Sequence, residues 1–218
     1  MSVDDLDSGS GGRTVCRLTD NSDLVLAPPL IADHTSSASL YRLFTARPLD
    51  REQSSELTVT VACHDGGRPP LNAEATFSVR VLDDNDHAPQ FSRTSYSVNV
   101  PENGTVPHLP ILRVAATDAD EGRNAEVWFS LADTPAAKYA TINSQTGMIR
   151  TQAVFDYEVA TRVELVVVAS DRALIPRTSS ALVYISVLDV NDEAPTFTRS
   201  NYSFATYENQ PPGMFALT

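Results

Sequence analysis

Apolar and polar residues alternate with a period of two over short stretches of this chain, the pattern of half-buried β-strands. Val127, Phe129 and Leu131 alternate with Glu126, Trp128 and Ser130. The stretches 164–169 and 181–187 are short, rich in β-branched residues and bounded by turn formers, as strands are. No helical periodicity stands out, and 14 prolines punctuate the rest. Several short strands in roughly 105 residues predict an antiparallel sandwich of Greek-key type, with seven strands in a complete unit.

The strand pattern repeats. Leu82-Asp83-Asp84-Asn85-Asp86-His87-Ala88-Pro89-Gln90-Phe91 recurs 106 positions later as Leu188-Asp189-Val190-Asn191-Asp192-Glu193-Ala194-Pro195-Thr196-Phe197. Leu49-Asp50-Arg51-Glu52 recurs as Phe155-Asp156-Tyr157-Glu158, and Asp65 as Asp171, at the same offset of 106. Asp5-Leu6-Asp7-Ser8-Gly9 and Asp118-Ala119-Asp120-Glu121-Gly122 are 113 apart, so the two units differ by seven residues in the loops between these motifs. A partial third unit follows: 197–203 echoes 91–97, and Tyr207-Glu208-Asn209 echoes Pro101-Glu102-Asn103. The expected units are 1–91, lacking its first strand, a complete unit at 92–197, and the start of a third at 198–218. Met1 is then expected to be an arbitrary start.

Charge changes the picture. With 218 residues, 42% of them hydrophobic, the chain can bury a core, yet its formal net charge is −12. A polyanion of this kind is a poor partner for nucleic acid, whose backbone calls for Lys and Arg. No run of about 18 apolar residues is present, and the N-terminus lacks the basic and apolar regions of a signal peptide. The acids concentrate at strand ends and in the segment between units. Two carboxylates about 4 Å apart repel by roughly 4 kcal/mol at an effective dielectric near 20. A stretch such as Asp83-Asp84-Asn85-Asp86 is therefore an open solvated loop or a metal site. Asp and Asn oxygens are hard ligands, and Ca²⁺ takes six to eight of them in a tolerant geometry.

Asp-x-Asn-Asp-x-Ala-Pro at a unit boundary, Leu-Asp-Arg-Glu, Pro-Glu-Asn and Asp-x-Asp-x-Gly, in that combination and in successive units, resemble the cadherin repeat over essentially the whole chain. The phrasing is closest to protocadherin, Fat and Dachsous types. The resemblance implies an all-β chain of tandem seven-stranded Greek-key β-sandwiches, the first truncated at its N-terminus, with about three Ca²⁺ at each complete junction. It implies that Asp50 and Glu52, then Asp83, Asn85 and Asp86, then Asp118, Asp120 and Asp171 hold metal between the first two repeats. Main-chain carbonyls of Asp84, His87 and Asn124 complete the shells. His87 stands where Asn is more usual, and only its carbonyl is expected to bind. Seven carboxylates (50, 52, 83, 86, 118, 120 and 171) would face three dications, so charge nearly cancels and metal binding should stiffen the seam.

The same resemblance gives an incomplete second junction of Glu102, Asp156, Glu158, Asp189, Asn191 and Asp192, with carbonyls of Val190 and Glu193. Asp5, Asp7 and Asp65 would serve a preceding junction. The first repeat's own copy of the Pro-Glu-Asn glutamate would lie upstream of Met1. In the implied topology Cys16 and Cys63 occupy neighbouring strands at inward positions matching Phe129 and Ala169. A disulfide and two free core thiols both fit that placement.

Other chemistry finds little support. The loop beginning Asp118-x-Asp120-x-Gly122 is no EF-hand, because position twelve is Phe129 and no flanking helices are predicted. A catalytic Asp-x-Asp site would need a nucleotide-sugar pocket, and no βαβ pattern is present. His34, His64, His87 and His108 lack transition-metal spacing and are expected in loops or on the surface, and Trp128 is expected to pack. No nucleophile–base pair is apparent, so no enzyme is expected. Asn103-Gly104-Thr105 and Asn201-Tyr202-Ser203 are N-glycosylation triplets by pattern. The function implied is calcium-dependent cell–cell adhesion on the extracellular side of the plasma membrane, in a piece that itself carries no membrane-spanning segment. The expected partners are other cadherin ectodomains, homophilic or heterophilic. A secreted calcium-dependent lectin or hydrolase is the alternative from another class, and would need a pocket within one domain.

Overall fold

Alternation of apolar and polar residues becomes alternation of buried and exposed residues along the longest strands. In the computed structural model, residues 1–7, 9, 12–19, 21–29, 38–104, 108–203 and 205–213 are described. Ser8, His34, Thr105 of one glycosylation triplet, and the tail 214–218 lie outside them. The first repeat contributes β1 (Ser2–Asp4), β2 (Val15–Thr19), β3 (Leu24–Ala27), β4 (Ala38–Leu40), β5 (Arg42–Thr45), β6 (Glu56–His64) and β7 (Asn72–Arg80). The second contributes β8 (Gln90–Phe91), β9 (Ser95–Pro101), β10 (Pro110–Arg113), β11 (Ala116–Thr117), β12 (Trp128–Leu131), β13 (Ala140–Ile142), β14 (Met148–Thr151), β15 (Arg162–Ser170) and β16 (Thr178–Leu188). Apart from one 3-10 turn at Pro135–Tyr139, no helix forms among the described residues.

In the second repeat, β12-β15-β16-β9 make one sheet, antiparallel except that β9 runs parallel to β16. The other face is β10-β14-β13 together with the β11-β8 pair. β10 and β11 are two pieces of one interrupted strand, and the chain crosses between layers at 92–94, so the unit has the expected seven strands. Val163, Leu165, Val167 and Ala169 of β15 and Ala181, Val183, Ile185 and Val187 of β16 point inward, against Val114, Phe129, Ile149 and Phe155. Each such aliphatic side chain contributes roughly 1.5–3 kcal/mol on burial. The hairpin into β14 turns on Gly147, where φ is +68° and a Cβ would lie 2.3 Å from the Val114 carbonyl oxygen. Only glycine fits there.

Among the described residues, the first repeat follows the same plan with fewer buried apolar side chains. β2-β6-β7 form a sheet whose register sets Cys16 opposite Cys63, as β12 and β15 set Phe129 opposite Ala169. A disulfide joins the two cysteines. Leu24, Val59 and Val61 are the buried centre of this repeat's cluster. Among the described residues, no strand pairs with the outer edge of β7, whereas its counterpart β16 is paired on both sides. The expected third unit forms no strand among its described residues, and Phe197 and Tyr207 are exposed. Local detail nonetheless recurs there: Thr198 Oγ1 meets Tyr202 OH at 2.7 Å as Ser92 Oγ meets Tyr96 OH at 2.9 Å. Asn209 likewise repeats the left-handed turn of Asn103, with φ of 64° against 53°. No helix among the described residues is long and apolar enough to cross a membrane.

Candidate metal centre

The acidic motifs fold as small Asx turns, the same way in each copy. In the Asp-x-Asp loops, the Asp7 N–H donates to Asp5 Oδ1 and the Asp120 N–H to Asp118 Oδ1, both at 3.0 Å. At the strand ends, Asp65 Oδ1 accepts from the Gly67 and Leu71 N–H groups, and Asp171 accepts from those of Ala173 and Arg177. Asp50 accepts from the Gln53 N–H at 3.1 Å, as Asp156 does from that of Val159 at 3.0 Å. Short-range turn chemistry thus orients these carboxylates through contacts local in the chain.

The folded repeats then bring motifs from both units to one seam. Glu52, Asp86, His87 and Asp120 each place one ligand atom within 4.8 Å of the others. Asn124 Nδ2 donates to Asp83 Oδ2 at 2.9 Å, Asn85 Nδ2 to the Ile175 carbonyl at 3.1 Å, and Arg177 Nε to the Asn85 carbonyl at 2.6 Å. Arg51 donates to Glu52 and Asp83 beside it and, across the seam, to the Ala119 carbonyl at 2.7 Å. Asp84 turns its side chain onto the Asn85 N–H and its carbonyl onto the Asp86 N–H. Asp50, Asp83, Asn85, Asp118 and Asp171 stand outside the tightest group. Both carboxylate oxygens of Asp171 are taken by backbone N–H groups.

Three side-chain oxygens at this seam, Asn85 Oδ1, Asp118 Oδ2 and Asp120 Oδ2, are buried with no hydrogen-bond partner. A buried, unpartnered oxygen costs about 1–3 kcal/mol, more when charged. Electrostatics reflect the crowding. Burial, and then the Asp118 charge, push the Asp120 carboxyl up. Burial also works to raise Asp83, but the Glu121 N–H, the Asn124 amide and the Arg51 guanidinium outweigh it and hold that carboxyl low. The hydrogen bond to Asp86 raises the His87 imidazole. The Gln53 N–H lowers Asp50. Hard oxygens left unpartnered beside uncompensated carboxylates are a donor set that fits Ca²⁺.

Two further clusters complete the picture. Glu102, Asp156 and Glu158 lie within 4.8 Å of one another, and so do Asp5, Asp7 and Asp65. Glu102 is buried and accepts from the Tyr157 and Val190 N–H groups, each at 2.7 Å. A backbone hydrogen bond at Glu158 pulls its carboxyl down, but burial and the charges of Glu102, Asp192 and Asp156 raise it. Asp189, Val190, Asn191, Asp192 and Glu193 are exposed in the segment after β16 and outside that cluster. Asn103 and Asn201 are both exposed, and Asn103 Nδ2 donates to Asp192 at the second junction.

His64, His87 and His108 are exposed, as expected, and His87 lies in the linker. Its ring adds a contact that spacing along the chain does not show: Nδ1 lies 2.7 Å from Asp86 Oδ1 beside it and 3.1 Å from Asp120 Oδ1 of a separate segment. Trp128 is 38% exposed and packs under the Arg172 guanidinium, 4.9 Å from its ring centroid.

Comparison with known proteins agrees with this architecture. The cadherin domain model matches residues 96–188. Protocadherin gamma-A4 of Pan troglodytes is 39% identical over 200 residues, covering 89% of this chain and 21% of the relative. Protocadherin-11 X-linked of Pongo pygmaeus is 33% identical over 211 residues, covering 97% of this chain and 15% of the relative. The chain thus spans about a fifth or less of the length of these curated relatives. Among solved structures, extracellular cadherin domains 1–4 of protocadherin gamma B7 superpose with a TM-score of 0.79 at 31% identity, over 90% of this chain and 47% of that one. Domains 22–24 of mouse cadherin-23 give 0.78 at 32% identity, over 98% of this chain and 66% of that one. With its paired sandwiches, its recurring acidic turns and these relatives, the chain belongs to the cadherin superfamily.

Proposed function

We propose that this chain is part of a calcium-dependent adhesion ectodomain, in which Ca²⁺ at the seam between repeats turns a hinge into a stiff rod. The observation that carries this reading is the set of three buried oxygens without partners, Asn85 Oδ1, Asp118 Oδ2 and Asp120 Oδ2, at the boundary of two sandwiches with separate cores. Ca²⁺ would supply positive charge shared by ligands from both repeats. About three ions are proposed, held by Asp50, Glu52, Asp83, Asn85, Asp86, Asp118, Asp120 and Asp171 with the carbonyls of Asp84, His87 and Asn124. The protein's own contribution is placement: the Asx turns aim the carboxylates, and the Asn124–Asp83 and Asn85–Ile175 hydrogen bonds align the two repeats. The parent protein is proposed to act at the extracellular face of the plasma membrane, with other cadherin ectodomains as partners. One solved relative, domains 3–6 of protocadherin gamma B7, forms a cis-dimer, which favours like-with-like association over a soluble ligand. Split ligation across two domains disfavours the lectin or hydrolase alternative, which needs convergent groups in one pocket.

Limited trypsin digestion tests the reading, because Arg80 ends β7 and the bond after it opens the linker. With millimolar Ca²⁺ the linker should resist cleavage, and with chelator it should be cut while each sandwich survives. Equal cleavage rates in the two conditions would overturn the proposal.

A further inference from the structure

We infer that the seam also binds a borderline transition cation, Zn²⁺ first among them, through the His87 imidazole together with Glu52, Asp86 and Asp120. Four donors meet there, one nitrogen and three carboxylates, all within 4.8 Å of one another. That number and mixture suit a four-coordinate zinc site. Carboxylates alone favour Ca²⁺ or Mg²⁺, while an imidazole nitrogen shifts preference toward Zn²⁺, Cu²⁺ and Ni²⁺.

Two of the donor separations are already close to those of a zinc site. Ligand atoms of a tetrahedral zinc site stand about 3.3 Å apart when bonds are about 2.0–2.1 Å. His87 Nδ1 is already 2.7 Å from Asp86 Oδ1 and 3.1 Å from Asp120 Oδ1. The second, independent observation is Asp120 itself. Its side chain has 0% exposure, and while its Oδ1 meets His87, its Oδ2 is buried with no hydrogen-bond partner. The imidazole is 45% exposed and Asp86 59%, which leaves the metal an open approach from solvent. This site shares three carboxylates with the proposed calcium junction but depends on a side chain that the calcium reading does not use. Zn²⁺ and Ca²⁺ should therefore compete for the same seam.

The test is His87→Asn, which removes the imidazole, keeps every carboxylate and leaves a backbone carbonyl at that position. Metal-stripped native chain, His87→Asn and a control, His64→Gln, are titrated separately with Zn²⁺ and Ca²⁺ by calorimetry, and with Co²⁺ by visible absorption. His64 is the appropriate control because it sits next to the other acidic group, at Asp65. The expected result is Zn²⁺ affinity at least tenfold weaker in His87→Asn, with its tetrahedral Co²⁺ bands lost, a change in Ca²⁺ affinity several-fold smaller than the change in Zn²⁺ affinity, and the control unchanged. Zn²⁺ affinity within twofold of native in His87→Asn, or a loss confined to His64→Gln, would overturn the inference. So would parallel loss of Zn²⁺ and Ca²⁺ binding, since that marks a disturbed seam rather than a missing ligand. A native chain that binds Zn²⁺ through His87 but shows no Ca²⁺ binding would leave this inference standing and overturn the calcium reading instead.

Discussion

At the scale of single residues, Asp50, Asp118 and Asp171 are held by local turns that need no metal, whereas the Asp86 side chain meets its neighbour His87. Asp86 lies in the linker, 59% exposed at its side chain, and touches His87 but no core residue. Replacing it with alanine should weaken calcium binding by at least roughly tenfold, since ligand charge sets affinity at such sites. Each sandwich's stability in chelator should stay within about 0.5 kcal/mol, as for an ordinary surface change. Calcium titration beside chemical unfolding checks both halves, and global unfolding of either repeat would show that the aspartate has another structural role. Most of the acidic constellation was legible in sequence, because Asp5, Asp7, Asp50, Asp65, Asp118, Asp120, Asp156 and Asp171 belong to local turns that recur at fixed offsets. Two residues were not. His87 reaches Asp120 across 33 positions, and Arg51 reaches the Ala119 carbonyl across 68. Neither contact leaves a periodic or spacing signal, because each arises only when two separately folded units meet.

At the scale of strands, a shared plan hides unequal cores. β6 and β15 match residue for residue at an offset of 106, and their burial alternates alike. The facing pair differs: Phe129 and Ala169 fill the second repeat, while Cys16 and Cys63 are bonded in the first. Period-two alternation placed the cysteines on the same inward positions, but it left bonded and free thiols equally compatible, because alternation fixes a face and not a bond. A crosslink that closes a 47-residue separation should restrict the unfolded chain and stabilise the first repeat by roughly 2–4 kcal/mol. The double variant Cys16→Ala, Cys63→Ala should therefore speed amide hydrogen exchange in β2, β6 and β7, and leave β12, β15 and β16 unchanged. Equal acceleration in both repeats would show that their strands do not unfold as separate units.

At the scale of the whole molecule, the described residues form two separate cores, and polar contacts such as Arg51–Ala119 and Asn85–Ile175 join the repeats, so their cooperativity should depend on what binds at the seam. Trp128 is the only tryptophan and lies in the second repeat, so its fluorescence follows that repeat alone, while far-ultraviolet circular dichroism follows both. The second repeat buries the fuller set of residues around Val114, Ile149, Leu165 and Ile185, and the first has Leu24, Val59 and Val61 at its centre. In chelator, the dichroism should begin to fall before the tryptophan signal does, as the thinner first core melts. If calcium binds only the assembled seam, as proposed, a hundredfold excess over its Kd adds about 2.7 kcal/mol per site. Ions that draw ligands from both repeats would be released when either repeat unfolds, so the two midpoints should rise and converge. Zn²⁺ alone, holding Glu52 and Asp86 on one side and Asp120 on the other, should produce part of the same convergence in the native chain and none in His87→Asn. Transitions that coincide in chelator would mean that hydrogen bonds such as Arg51–Ala119 and Arg177–Asn85 already couple the repeats. Transitions that stay apart in saturating calcium would mean that the metal does not bridge the seam.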